Sequence, residues 1–307
     1  MELDSLDIHI LARIQGNARV SFSDIACETG VSESTVFARA KKLEENGIIL
    51  GYKARLDRQR MGAPTTAIMG FEINGKDISE VCGRLKSIDA IKYLYVTHGI
   101  YNAIALIHAK GLNHLHVLAN EKIAKIDGIL SMQVLVVLDV VKEDLSVDLD
   151  RLGDARGIAK MPAKAAEIQL AAKEAGNYKN APERIEAQLP HKENPVLDNV
   201  DLHILRMLQK DARVSFKELA KNIMVSEGTA YVRMKKLVEN GFIERFYTDL
   251  NPKMLDEDVG ALIGIRINRK NLDLEALMKK AKDARIKAVY LVSGIFDVVM
   301  LVKARSL

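Results

Sequence analysis

Residues 3–50 read LDSLDIHILARIQGNARVSFSDIACETGVSESTVFARAKKLEENGIIL, and residues 197–244 read LDNVDLHILRMLQKDARVSFKELAKNIMVSEGTAYVRMKKLVENGFIE. The stretches align without a gap, Leu3 falling on Leu197 and Asn46 on Asn240, and about half the positions are identical. That is a duplication. Two copies at so long a period imply tandem domains and exclude a solenoid, whose repeats are short and many.

Each copy predicts three short helices. In the first, Leu6, Ile10, Leu11 and Ile14 recur at helical spacing and stop near Gly16 and Asn17. The second opens on Ser21, with Asp24 three residues on, or on Ser215 with Glu218, the form of a capping box. After a tight connection at Gly30-Val31, the third opens on Ser32, carries Glu33 where the helix dipole favours an acid, and ends at Asn46-Gly47. Two brief helices, a turn and a longer third helix make a helix-turn-helix. The segments Ile48–Tyr52 and Phe242–Tyr247 read as short strands, predicted to form a small wing in each copy.

On the third helix Val36, Ala40 and Leu43 form the apolar stripe, and Thr35, Arg39, Lys42 and Asn46 form a polar one. The second copy keeps Thr229, Arg233, Lys236 and Asn240 at the same places. A solvated helix face would look similar, but recurrence inside a three-helix pattern favours a surface that enters the major groove of double-stranded DNA. The candidate DNA-binding residues are Ser32, Ser34, Thr35, Arg39 and Lys42, with Ser226, Thr229, Tyr231, Arg233 and Lys236. Ser34 stands against Gly228 and Phe37 against Tyr231, which predicts an asymmetric site. Residues 3–56 hold seven Lys and Arg against seven Asp and Glu, so only the local cluster Arg39, Lys41, Lys42, Lys53 and Arg55 supplies phosphate contacts. Binding by one copy is therefore expected to be weak and salt-sensitive.

From Thr65 the pattern changes to a strand through Ile73, an amphipathic run with Ile78, Val81, Leu85 and Ile88, and a strand from Ile91 to Val96. A turn at 98–102 leads to a strand from Ala103 to His108, a helix near Leu112 to Lys125, and an apolar strand from Ile129 to Val140. The order βαββαβ is a ferredoxin-like sandwich, giving an α+β fold with two helices over one face of an antiparallel sheet. The second copy shows strands at 261–267, 287–292 and 298–303 and a helix at 274–284, and lacks the last helix and strand, so its sandwich is incomplete. The expected domains are a winged helix-turn-helix at 1–60, a sandwich at 61–141, a linker at 142–196, a second winged helix-turn-helix at 197–255 and a partial sandwich at 256–307. In the linker, which contains Pro162, Pro182, Pro190 and Pro195, the run 163–175 is a candidate charged helix.

Across 307 residues, 48% hydrophobic and 28% charged, composition describes a globular chain of two or more domains. No run approaches a membrane span and the N-terminus lacks a signal sequence, so a cytoplasmic location is expected. Cys27 and Cys82 lack metal-ligand spacing and are expected as reduced, buried thiols. With no Trp and 5% aromatics, stacking platforms for single strands are few. There is no phosphate loop, nucleophile elbow or metal constellation, so no cofactor and no metal are expected.

These landmarks, Leu3-Asp4 to Ile49 with Ala18-Arg19 and Val31-Ser32, followed by a βαββαβ unit containing Gly99-x-Tyr101-Asn102, resemble the Lrp/AsnC, or feast-famine, transcriptional regulators. The resemblance covers 1–141 and 197–307. It implies a DNA-binding part and a regulatory sandwich that dimerises, often assembles further, and binds an amino acid or similar effector. On that likeness Gly99, Tyr101 and Asn102 lie near the effector, matched by Gly294, Phe296 and Asp297. The family's turn commonly ends in Asp, which Asp297 supplies and Asn102 does not; both glycines also suit a turn that merely needs them. The tandem arrangement would replace a homodimer by pairing within one chain, alone or within a homo-oligomer. Two alternatives stay open. One is an enzyme like the sirohaem decarboxylases, built from similar parts, with His98, His108, His114 and His116 as its candidates; the other is an architectural chromatin protein.

Overall fold

The computed structural model describes residues 2–75, 77–158, 197–257, 259–267, 279 and 281–304. In chain order the first copy gives α1 (Ser5–Gly16), α2 (Phe22–Thr29), α3 (Glu33–Glu45), β1 (Ile49–Leu56), β2 (Thr65–Ile73), α4 (Ile78–Lys86), β3 (Ile91–Val96) and β4 (Ala103–Ala109). It continues through α5 (Leu112–Val117), a wide π-type turn at Leu118–Ile123, β5 (Ile129–Glu143) and α6 (Leu149–Ala155). The second copy gives α7 (Asn199–Lys210), α8 (Phe216–Ile223), α9 (Glu227–Glu239), β6 (Ile243–Leu250), a short 3-10 helix at Pro252–Leu255, β7 (Val259–Ile265), β8 (Ile286–Ser293) and β9 (Val298–Ala304). These elements form two compact units, Met1–Asp57 with Ser146–Asp258, and Arg58–Leu145 with Val259–Leu307.

The first unit holds both helix-turn-helix copies. Ser21 and Ser32 cap α2 and α3 by accepting from the N–H groups of Asp24 and Thr35, and Ser215 and Ser226 do the same for α8 and α9. A cap not foreseen from sequence starts α1, where the Asp4 side chain accepts from the Asp7 N–H and the Asp7 carboxylate from the Asp4 N–H; Asp198 and Asp201 repeat it on α7. Ile10, Leu11, Ile14, Ile25, Val36 and Leu43 are fully buried between the three helices of the first copy. Each contributes roughly 1.5–3 kcal/mol of hydrophobic stabilisation. Between α2 and α3 the chain turns through Gly30 at φ +71°; the second copy puts Met224 there at φ +55°.

The segments expected as two separate wings pair with each other instead. β1 and β6 form one antiparallel ribbon, with the equivalent residues Lys53 and Tyr247 face to face at its centre. An internal two-fold thus relates the copies. Each strand pairs the backbone groups of one side with the other copy's strand, so neither is left as a lone strand.

The expected linker also differs at its beginning. Val147, Leu149 and Leu152 are buried in the first helix-turn-helix core together with Leu250 and Leu255. Gln15 fastens the segment, its Nε2 donating to the Val147 carbonyl at 3.0 Å and its Oε1 accepting from the Val147 N–H at 2.8 Å. The candidate helix at 163–175 lies outside the described residues.

The second unit carries a sheet of order β3-β4-β2-β5-β8-β9-β7 among the described residues. One face of its first half packs under α4 and α5, around Met69, Phe71, Val81, Leu85, Ile107 and Ile123. The opposite face gathers Ile68, Leu106 and Leu135 with Tyr290, Val292 and Leu301 of the second half, so the two halves bury these faces in a common core. β5 joins the halves. It pairs with β2 through Ile129–Val136 and with β8 from Val136 to Glu143. The helix expected at 274–284 falls largely outside the described residues. Cys82 is buried as expected, whereas Cys27 is exposed. No helix among the described residues is long and apolar enough to cross a membrane.

Candidate functional site

Two equivalent surfaces emerge on α3 and α9. Burial of Val36, Ala40 and Leu43 turns Ser34, Phe37, Ala38, Lys41, Lys42 and Glu45 outward, and in α9 Gly228, Tyr231, Val232, Lys235, Lys236 and Glu239 take the same positions. The outward ridge is therefore rotated by about one residue from the stripe expected from sequence. Thr35 and Thr229 are drawn into the caps, their Oγ1 atoms 2.8 Å from the hydroxyls of Ser32 and Ser226, and Ser34 reaches Ser32 at 2.8 Å. Asn46 folds back on the helix end, donating to the Lys42 carbonyl at 2.7 Å. Lys42 and Lys236 stay exposed. Lys41, expected to contact phosphates, is on this ridge; Ala38, Val232 and Lys235 were missed as surface candidates, and the signal was available. They lie across the axis from the apolar stripe, and a wheel centred on that stripe finds them.

Arg39 and Arg233 do not project from this ridge. Arg39 Nη1 donates to Asp4 Oδ2 at 2.7 Å and to both oxygens of Asp7 at 3.2 Å; Arg233 bonds Asp198 and, at 3.1 Å, Asp201. Each arginine thereby locks the third helix onto the capping box of the first. Burial pushes the Asp7 carboxyl above the ordinary range, with Asp4 nearby adding to the rise and Arg39 opposing it. Against its own burial, Asp4 is held below that range by the Asp7 N–H and the Arg39 guanidinium. Hydrogen bonding to Asp4 raises Arg39 in turn. Lys53 and Arg55, expected to contact phosphates, are also engaged, with Asp249 at 2.5 Å and Glu244 at 2.8 Å across the ribbon.

A second pair of arginines ties the copies together. Arg19 Nη1 donates to the Ala212 carbonyl at 2.6 Å, with its Cζ 5.1 Å from the centre of the Phe216 ring; Arg213 Nη1 donates to the Ala18 carbonyl at 3.0 Å, with its Cζ 4.0 Å from the centre of the Phe22 ring. Burial, and for Arg19 the nearby Arg213 charge, lower both guanidiniums. Phe22 meets Phe37 edge-on at 6.1 Å, and Phe216 meets Tyr231 at 5.3 Å. Each outward aromatic thus rests on a ring that the other copy's arginine covers. Tyr52, beside Arg213, donates to Glu44 of α3 at 2.6 Å.

In the second unit the turns expected near an effector are fastened to their own sheets. Asn102 Oδ1 accepts from the Ile73 N–H at 2.7 Å and Asp297 Oδ2 from the Ile267 N–H at 2.9 Å, so the oxygen common to amide and carboxylate does the same work in both copies. The Tyr101 ring covers Gly70 and the Phe296 ring Gly264 so closely that a Cβ on either glycine would stand 2.6 and 2.7 Å from the ring. Gly99 and Gly294 both have φ +145°, which requires glycine. Of the candidate histidines, His108 Nε2 lies 3.1 Å from Arg58 and His114 Nδ1 accepts from the Lys110 N–H; His98 and His116 are exposed. Among the described residues no group of three or more His, Cys, Asp or Glu could hold a metal ion.

Comparison with known proteins agrees with this organisation. The winged helix-turn-helix DNA-binding family matches twice, at 3–49 and 197–244, and the Lrp/AsnC ligand binding domain matches 66–147. The HTH-type transcriptional regulator Ptr1 of Methanocaldococcus jannaschii is 37% identical over 141 residues, covering 46% of this chain and 95% of that protein. Regulatory protein AsnC of Escherichia coli K12 is 33% identical over 138 residues, covering 44% of this chain and 90% of that one. The solved structure of the siroheme decarboxylase NirDL covers 97% of this chain and 81% of its own at a TM-score of 0.59, and at 16% identity that likeness is one of fold. With two such DNA-binding parts and a matching ligand-binding sandwich, the chain belongs to the Lrp/AsnC family of helix-turn-helix transcriptional regulators.

Proposed function

We propose that the chain binds one asymmetric duplex site through α3 and α9 together, as a regulator that carries both halves of a dimer in one polypeptide. The observation that supports this most is the reciprocal tie between copies: the β1–β6 ribbon and the Arg19 and Arg213 bonds fix both third helices in one unit. Base edges would be read by Ser34, Phe37, Ala38 and Lys41 in one half-site and by Tyr231, Val232 and Lys235 in the other, with Lys42 and Lys236 on phosphates. Ser32 and Ser226 would place a helix N-terminus near the backbone. Thr35, Thr229, Arg39 and Arg233 would act from behind, as fasteners of the reading helices. The division into two DNA-binding parts, two sandwich parts and a connecting segment serves this reading.

The sandwich would take a small effector, for which an amino acid is the first class to test. That rests on the ligand-binding domain match at 66–147. The geometry does not favour Asn102 or Asp297 as an ammonium partner, because both are used to hold the turn. The chain would do no chemistry of its own and work in the cytoplasm; incubation with sirohaem should leave that compound unchanged, and decarboxylation would revive the enzyme reading. The deciding experiment is selection of bound sites from random duplex DNA at two salt concentrations. An enriched asymmetric motif is expected. Salt-sensitive binding without a motif would instead mark an architectural protein, and no binding would end the proposal.

A further inference from the structure

The third helices of the two copies are alike in sequence and unlike in how they are held. In the first copy Glu28 of α2 meets α1 at two places, its Oε2 3.0 Å from His9 Nε2 and its Oε1 2.8 Å from Arg13 Nη2. The second copy has Met207 in place of Arg13, and in place of Glu28 it has Asn222, whose Nδ2 donates to the Glu218 carbonyl of its own helix. Asp7, the acid beneath Arg39, is fully buried, whereas Asp201 beneath Arg233 keeps contact with water.

The sharpest difference lies at the C-terminal end of the helix. Tyr52 of β1 donates its hydroxyl to Glu44 Oε1 of α3 at 2.6 Å, the short distance of a bond to a charged acceptor. Burial, and then the bond to Glu44, push that hydroxyl above its ordinary range, so it remains a donor at neutral pH. The Tyr52 ring packs on the first copy's core, 5.2 Å from Arg213 Cζ of the second. Phe246 and Val238 stand at the equivalent places, and neither can form this bond. α3 is thus tied at its middle by Arg39 and at its end by Tyr52, whereas α9 has the Arg233 tie without the second.

A wrong base is rejected when it leaves a groove-facing group unpaired, and that penalty persists only if the helix cannot shift to relieve it. A helix tied at two points keeps its angle in a groove; one tied at a single point can tilt about it. We propose that Tyr52 is a positioning residue that, through Glu44, makes the half-site under α3 stringent, while the half-site under α9 is tolerant. This rests on the reading of duplex DNA by both third helices and adds a division of labour: the first copy selects the site, and the second accepts variants of its half.

The test is bound-site selection from random duplex DNA with the full chain, base preference being scored separately in each half. The half that belongs to α3 is the one altered by Ser34→Gly, Phe37→Tyr and Ala38→Val together. The parent should be stricter there than in the other half. Tyr52→Phe should lower base discrimination in the α3 half roughly 3- to 10-fold and leave the α9 half as it was. Phenylalanine is what the second copy carries at that position, so the variant should fold. Glu44→Gln should keep most of the discrimination, because the amide oxygen accepts the same bond. Val238→Glu with Phe246→Tyr should sharpen the α9 half. Tyr52→Phe that weakens binding or lowers the thermal midpoint with discrimination unchanged would mark a merely structural hydroxyl and overturn the proposal. A parent equally strict in both halves, equal loss with Glu44→Gln, or an α9 half left unsharpened would overturn it too. A parent that selects no two-part site would end the reading by both helices itself, and this proposal with it.

Discussion

Arg39, on the third helix, holds that helix to the acids that start the first. Its partner Asp7 has no exposed side-chain surface, so Arg39→Ala strands a buried carboxylate and should cost about 2 kcal/mol, read as a lower urea midpoint. Arg233→Ala should cost less, because Asp201 keeps 16% of its side-chain surface in water. The pH dependence separates this from lost packing. Asp7 is raised in the fold, so its share of stability grows as pH falls through the window above the ordinary value of 3.8; Asp4 is lowered, so its share is lost only as pH falls below 3.8. Removing Arg39 raises Asp7 further and releases Asp4. The deficit of Arg39→Ala relative to the parent should therefore shrink between pH 7 and about pH 4, and a constant deficit would contradict the ion-pair account.

At the level of elements, the connection between α2 and α3 is solved twice, once well. Gly30 takes the left-handed conformation at no steric cost, whereas Met224 holds φ +55° with 92% of its surface exposed. Met224→Gly should raise the stability of the first unit by about 1 kcal/mol, and Gly30→Met should lower it similarly, measured as thermal midpoints. In the sheet, Gly70→Ala must push Tyr101 off its strand and should cost roughly 1–3 kcal/mol, with Gly264→Ala acting alike through Phe296. Helices and most strands were legible because their signals are local: serine caps, apolar periodicity, glycine stops. What escaped was pairing. Nothing in Ile49–Leu56 says that its partner is the same segment of the other copy, since each reads as a short strand that could pair within its own copy. The Asp4-x-x-Asp7 cap of α1 was missed although its spacing is that of Ser21 and Asp24, which were read as a cap. The polar stripe chosen from sequence lies about one residue from the most exposed ridge of α3, because side-chain type was read there and the Arg39 bonds to Asp4 and Asp7 are not local in sequence.

For the whole molecule, the outward ridges of α3 and α9 are alike in charge and unlike in shape. Making the first copy match the second by Ser34→Gly, Phe37→Tyr and Ala38→Val should turn the selected DNA site from asymmetric toward a palindrome, with little change in salt dependence. Arg213→Ala should disturb the half-site read by α3 more than that read by α9, because its guanidinium covers Phe22 and stands by Tyr52 in the first copy. Footprinting each half separately reads this out, and equal loss in both halves would count against the cross-copy tie.

The β1–β6 ribbon has a consequence for how the protein comes into being. β1 leaves the ribosome with its ladder empty, and its partner strand among the described residues is made roughly 190 residues later, a wait of about 10–40 s at ordinary rates of translation. Through that interval the nascent first half exposes an unpaired strand beside the strands of neighbouring nascent chains on the same message, to which β6 from an earlier chain is chemically indistinguishable. Slower translation between β1 and β6 should therefore raise the share of domain-swapped chains, read by sedimentation of freshly made protein.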